Sequence, residues 1–191
     1  MEKNYITEKT FDGIDFTVEG FHPGEYEECI FRNCNFAKCS LSDSLFIECQ
    51  FSDCDLSLVK LGNTALRDII FRDCKMLGIR FENCNEFGLS FSFENCILND
   101  SSFFKTRIKK TVFKECRMHE VDLNESDLTS SLFDKCDLKG AVFNRTNIEK
   151  ADFRTSFNYS IDPELNKIKK AQFSLPSVIG LLNKYDIKIA L

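Results

Sequence analysis

The chain has 191 residues, 43% apolar and 29% charged, enough for one domain with a full core. A formal net charge of −5 argues against nucleic acid as a direct ligand, because phosphate binding needs a basic surface. No run approaches the roughly 18 to 20 apolar residues of a membrane span, and the first ten residues (MEKNYITEKT) lack an apolar stretch of signal-peptide length, so a cytoplasmic chain without membrane contact is expected.

The composition is unusual in holding twenty Phe and ten Cys with no Trp, and the Phe recur on a pulse. Every fifth residue from Phe11 is large: Phe16, Phe21, Tyr26, Phe31, Phe36, Leu41, and so on without a break to Phe81. The pulse slips by two and resumes from Phe93 to Phe153. Neither a helix, with its period of about 3.6, nor a strand, with its period of about 2, sustains a period of five. Two positions before each large residue sits a small or β-branched one, such as Cys29, Ser44, Val59, Thr64, Ala141 or Thr146. The unit is small-x-large-x-x.

This pattern resembles the pentapeptide-repeat family, whose repeat is matched by "SDLTS", "CDLKG", "ADFRT" and "CNFAK" over roughly residues 11–173. The resemblance implies an all-β fold, a right-handed quadrilateral β-helix with four pentapeptides to a coil. The sequence tests that independently. With one two-residue insertion allowed, positions one coil apart read Phe11, Phe31, Phe51, Phe71, Phe93, Phe113, Phe133, Phe153, Phe173, a ladder expected to form one column of the core. No coil buries its own core, so stability must come from stacking.

Taken along the chain, residues 1–10 are expected to cap the open edge of the first coil, and residues 11–160 to form the solenoid. Within it Cys34, Cys54, Cys74, Cys96, Cys116 and Cys136 fall in one small column. Rungs about 4.8 Å apart hold Cβ atoms beyond the ~3.5–4.5 Å of a disulfide. A linear ladder does not converge as a tetrahedral zinc site requires, and His22 and His119 lie far apart. The thiols are therefore read as compact core filler rather than metal or redox groups, and no cofactor is expected. The slip is expected to distort one coil at Glu86, Phe87, Gly88 and Leu89, where Gly88 permits a bulge and Phe91 brings a bulky side chain to a small position. In residues 161–191, "IDPELNKIKKAQF" predicts a short helix capped by Asp162 with Ile161, Leu165 and Ile168 inward. Val178, Leu181, Leu182 and Tyr185 then follow helical spacing, and Ile187, Ile189 and Leu191 alternate as a strand. So apolar an end predicts a C-terminal helix and strand cap that forms a homodimer interface through Val178, Leu181, Leu182, Ile187, Ile189 and Leu191.

No Gly-rich phosphate loop, nucleophile elbow or HExxH stands in the sequence, so a non-enzymatic protein is expected. One outward column reads Asn33, Asp53, Asp73, Asn95, Glu115, Lys135. The tail carries +2 and residues 1–160 carry −7. Coil number, irregular central coil and tail are similar to the Qnr-type quinolone-resistance group, dimeric rod-shaped DNA mimics that bind type II topoisomerase and protect DNA gyrase from quinolones. That resemblance implies DNA gyrase or topoisomerase IV as partner; the acids of the outward column, Asp53, Asp73 and Glu115, are then the candidate binding face, the alternative being a solvated acidic face that needs no function. The chain departs from the plasmid-borne members in having a two-residue slip where they carry longer protruding loops. The alternative is a cytosolic solenoid scaffold for another protein.

Overall fold

The computed structural model describes residues 4–188, and they form a four-sided solenoid of parallel strands. One wall is a four-stranded sheet, β1 (Asn4–Thr7), β3 (Gly24–Glu27), β5 (Leu45–Ile47) and β7 (Ala65–Arg67). A second wall is a seven-stranded sheet of β2 (Thr10–Asp12), β4 (Ile30–Arg32), β6 (Gln50–Ser52), β8 (Ile69–Arg72), β9 (Phe91–Glu94), β10 (Val112–Lys114) and β11 (Leu132–Asp134). The other two walls are held by isolated parallel bridges such as Asn35↔Asp55 and Ser40↔Lys60. Every pairing joins residues one coil apart, and the step lengthens once, at Phe71↔Phe93, where the insertion lies.

The Phe ladder is the spine of the core. Consecutive rings from Phe11 to Phe173 stack nearly parallel, with centroids 4.5–5.5 Å apart. That distance is the interstrand spacing of a sheet, so aromatic stacking and backbone pairing are satisfied by one translation. Phe81 and Phe103 stack likewise at 4.4 Å on another wall.

The small positions do more than save space. Cys54 Sγ lies 3.4 Å from the Phe31 carbonyl and 3.2 Å from that of Ser52, and Cys74, Cys96 and Cys136 repeat the pattern. Thr64 Oγ1 donates to Leu41 O at 2.8 Å, Thr146 Oγ1 to Leu123 O at 2.9 Å, and Ser156 Oγ to Phe133 O at 2.6 Å. Each is a short side chain donating to the carbonyl of a large residue in the coil below, which explains why Cys, Ser and Thr share this position. The ten cysteines are free. Burial pushes the Cys49 thiol up to about 12, and in Cys96 and Cys116 the hydrogen bond to the next thiol of the ladder, joined by burial, has the same result. Thiols held protonated in this way are poor nucleophiles and poor ligands.

The ends depart from expectation. The segment read as an N-terminal cap joins the ladder instead: β1 pairs in register with β3, Ile6 beside Tyr26, and β2 begins at Thr10. One helical turn, α1 (Phe16–Glu19), replaces a corner of this first coil, and Asp15 Oδ1 caps it from the Thr17 N–H at 2.9 Å. At the other end no helix follows Asp162. Its carboxylate accepts from the Glu164 N–H at 2.8 Å in a tight turn, Leu165 is 54% exposed, and Asn166 turns inward. Asn166 Nδ2 donates to Phe143 O at 2.9 Å, taking the place of a small-position donor, so the solenoid runs on through Lys167 and Gln172. The C-terminal helix is a pair of 3₁₀ turns, Val178–Leu181 and Asn183–Tyr185. Ile187 is outside any strand, and Ile189 and Leu191 lie outside the described residues.

Gly180 fixes how this tail docks. Its carbonyl accepts from the Ile161 N–H at 3.0 Å, and a Cβ there would stand 2.2 Å from Tyr159 O.

Two stability outcomes follow from this packing. Phe113→Ala empties a fully buried rung and should cost about 3–5 kcal/mol in urea unfolding; a loss below 1 kcal/mol would mean the ladder is not the core. Gly180→Val should free the tail from the last coil, seen as rapid proteolysis after residue 173 with the solenoid's β-rich circular dichroism kept.

Candidate functional site

Asn33, Asp53, Asp73, Asn95, Glu115 and Lys135 form one outward column, each at a corner between two walls and each with φ between 51° and 55°. L-residues pay roughly 1–2 kcal/mol for the left-handed conformation, and Asn and Asp tolerate it best because their short polar side chains bond locally. Part of the acidity of this column is thus a requirement of the corner. The three acids also differ. Glu115 Oε1 is met by Lys135 Nζ at 2.9 Å, and Asp73 Oδ1 accepts from Asn95 Nδ2 at 2.6 Å. Asp53 makes no side-chain hydrogen bond or ion pair among the described residues, and both Asp53 and Asp73 are exposed.

Cations thread the same surface. Glu94 lies between Lys114 Nζ at 2.6 Å and Arg72 Nε at 3.0 Å, which hold its carboxyl below the usual range, the Lys114 hydrogen bond contributing most. Lys75 pairs with Asp55 at 3.1 Å. Exposed pairs of this kind contribute at most ~1 kcal/mol each. Their effect is on the field: the face is a lattice of compensated charges with Asp53 and Asp73 left in excess. Sequence reasoning named the acids and Lys135 but missed that the cations pair across rungs, although Lys135 stands one coil after Glu115 and Lys114 one coil after Glu94.

The four residues expected at the distorted coil do stand there. Asn85 Oδ1 accepts from the Phe87 N–H at 2.9 Å, Gly88 has φ 71°, and Leu89 returns to the core as the large residue. Phe87 projects, 75% exposed, with the Arg67 guanidinium 5.3 Å from its ring. Phe91 is buried and paired with Ile69, whose bulk also occupies a small position. Beside the bulge lies a cleft of about 310 Å³ bounded by Phe81, Glu82, Cys84, Leu89, Phe104 and Arg107. Burial, and after it the Glu82 charge, pushes the Cys84 thiol up to about 12, so the cleft offers no activated nucleophile. Among the described residues no group of three or more His, Cys, Asp or Glu is placed to hold a metal, and no helix is long and apolar enough to cross a membrane.

At the C-terminal end Val178, Leu181 and Leu182 are half-buried against the last coil, while Leu175, Ile179 and Ile187 are exposed. Lys184 ties the tail down through Asp162 at 2.8 Å and Glu164 at 2.7 Å, and Tyr185 Oη donates to Glu164 Oε1 at 2.9 Å. The outward apolar residues of this end are therefore not all those that helical spacing selected.

Comparison with solved structures returns the same architecture. Two trypsin-treated forms of QnrB1, described as a plasmid-mediated fluoroquinolone resistance protein, match with TM-scores of 0.62 and 0.64 at 18% and 19% identity. The first match covers 98% of this chain and 100% of the other, the second 95% and 99%. HetL, a pentapeptide-repeat protein involved in heterocyst differentiation regulation from the cyanobacterium Nostoc sp. strain PCC 7120, matches with a TM-score of 0.50 at 12% identity over 91% of this chain and 90% of its own. At these identities the likeness is one of fold. A search of curated proteins found no match to the sequence. The family described as pentapeptide repeat region matches residues 20–92 and 89–158. That span is most of the chain, which belongs to the pentapeptide-repeat family.

Proposed function

We propose that this protein is a Qnr-like, DNA-mimicking rod that binds type II topoisomerase, DNA gyrase or topoisomerase IV, in the cytoplasm, and shields it from quinolones. The observation that carries the reading is the match to QnrB1 along nearly the whole length of both chains. Asp53 and Asp73, exposed one rung apart, supply the acidic surface such a partner would read. Rungs at about 4.8 Å are sparser than the one charge per ~1.7 Å of duplex axis, so the mimicry is of shape and sign rather than of each phosphate. No catalytic step belongs to this reading. The protein acts by occupying a surface.

The rod pairs end to end through its C-terminal face, where Leu175, Ile179 and Ile187 stand exposed beside Val178, Leu181 and Leu182. A second reading, a scaffold for another protein partner, draws on the shared fold with HetL.

Supercoiling by purified gyrase in the presence of ciprofloxacin separates the two. Rescue or direct inhibition at micromolar protein is expected; neither effect would leave the scaffold. Asp53→Lys with Asp73→Lys should abolish the effect while far-UV circular dichroism is unchanged, and full activity in that variant would remove the acidic column from the mechanism. Ile179→Asp with Ile187→Asp should halve the mass seen by light scattering. A wild-type protein that is already monomeric would rule out the C-terminal contact.

A further inference from the structure

The corner that joins the four-stranded wall to the Phe-ladder wall sorts its charges along the rod. Its left-handed residues in the first four rungs are Glu8, Glu28, Glu48 and Asp68. In the last four they are Lys110, Ser130, Lys150 and Lys170. Between them the fifth rung has no left-handed residue at this corner, because the chain passes from Leu89 through Ser90 directly into β9 and its left-handed residue, Gly88, comes before Leu89. That rung is the bulge that carries Phe87. All seven charged residues of the column are exposed, and none of the four anions or three lysines makes a side-chain ion pair among the described residues, although Ser90 Oγ donates to Asp68 at 2.7 Å. The other corners carry fewer charges and none is matched end to end in this way; one reads Asp43, Asn63, Lys105, Glu125, Arg145, and another Lys38, Leu58, Gly78, Asp100, Glu120, Gly140.

We propose that this corner is a self-association surface that takes a second copy of the same chain, antiparallel and side by side. A two-fold axis lying across the rod at the fifth rung reverses the rod direction and keeps each column opposite itself. It sets Glu8 against Lys170, Glu28 against Lys150, Asp68 against Lys110, and Glu48 against the neutral Ser130. Every charged pair of this column across the axis is of opposite sign, and an isologous contact forms each of them twice. The axis itself passes by Phe87, whose ring is propped by Arg67 and lies next to the 310 Å³ cleft walled by Phe81, Leu89 and Phe104. Each copy so offers an aromatic knob beside a notch whose apolar walls are rimmed by Glu82, Glu86, Lys105 and Arg107, a self-complementary arrangement of the kind a two-fold contact requires. Ile70 and Val112, 41% and 37% exposed on the adjoining wall, oppose each other across the same axis.

The column on the other flank would set like charges together across this axis, Glu27 against Glu149 and Arg67 against Lys109, so the contact follows the corner rather than that wall. A strip this narrow buries less than the ~1,200 Å² of stable interfaces, which places the association in the transient class. A polyanion is a poorer occupant, because the four acidic rungs repel it within the ~10 Å Debye length of 0.1 M salt.

The test starts from the Ile179→Asp, Ile187→Asp protein, so that end-to-end pairing does not intervene, and uses sedimentation velocity with small-angle scattering at high protein concentration in 0.1 M salt. A dimer is expected whose cross-section grows while its length stays that of one rod; a dimer of doubled length, or none, overturns the proposal. In 1 M salt, where the Debye length falls to ~3 Å, dissociation should strengthen about tenfold or more. Phe87→Ser should weaken the dimer. The triple variant Lys110→Glu, Lys150→Glu, Lys170→Glu should be monomeric, and so should Glu8→Lys, Glu28→Lys, Asp68→Lys; both replacements are of kinds already found at left-handed corners of this chain, so the fold is kept. Mixing the two should give a one-to-one heterodimer. Failure of the mixture to pair, or retention of a short DNA duplex by a monomeric wild-type corner, would contradict the assignment.

Discussion

One translation of about 4.8 Å governs this molecule. It is the distance at which parallel backbones exchange hydrogen bonds and the distance at which phenylalanine rings stack, and the ladder from Phe11 to Phe173 meets both at 4.5–5.5 Å. The short donors of the small positions, Cys54 and Thr64 among them, tie each coil to the carbonyls of the coil below. A change at one rung is therefore felt by two neighbours, and the cost of a single lost ring is that of a cavity with no room to collapse.

The same translation turns the surface into columns. A side chain one coil along is always the nearest neighbour on the outside, so Glu94 meets Lys114 and Glu115 meets Lys135 as surely as Phe93 meets Phe113. Function in such a protein is written in which columns balance and which do not. On one corner Glu115 and Lys135 compensate each other while Asp53 and Asp73 remain; on another the signs are separated along the rod, four acids from three lysines, with Phe87 at the boundary.

Much of this was legible in the residues. A period of five and a second of twenty specify the walls, the Phe column and the place of the insertion, because a packed column tolerates little variation. The ends were harder. Ile6 stands five before Phe11 and so continues the pulse, yet β1 carries exposed Tyr5 and is followed by exposed Glu8, and the segment reads as a cap. Asp162 and Pro163 carry the chemistry of a helix start, but inward-turned Asn166 and the Lys167 bridge keep the coil going, a case of tertiary pairing outweighing a local signal. The acidic column was visible as acids, while its left-handed geometry was not, since nothing in the sequence says that Asp53 and Asp73 also satisfy a corner. The candidate site was thus legible in its residues and not in its charge balance, which depends on cations that only the stacking brings alongside.

The most direct test of the account is competition for the DNA-binding surface of gyrase. With a fluorescein-labelled duplex bound to gyrase, adding this protein should lower the anisotropy to that of free DNA in a concentration-dependent way, and the labelled duplex alone should show no binding to the protein. Anisotropy that stays constant up to tens of micromolar would contradict mimicry of DNA at that enzyme.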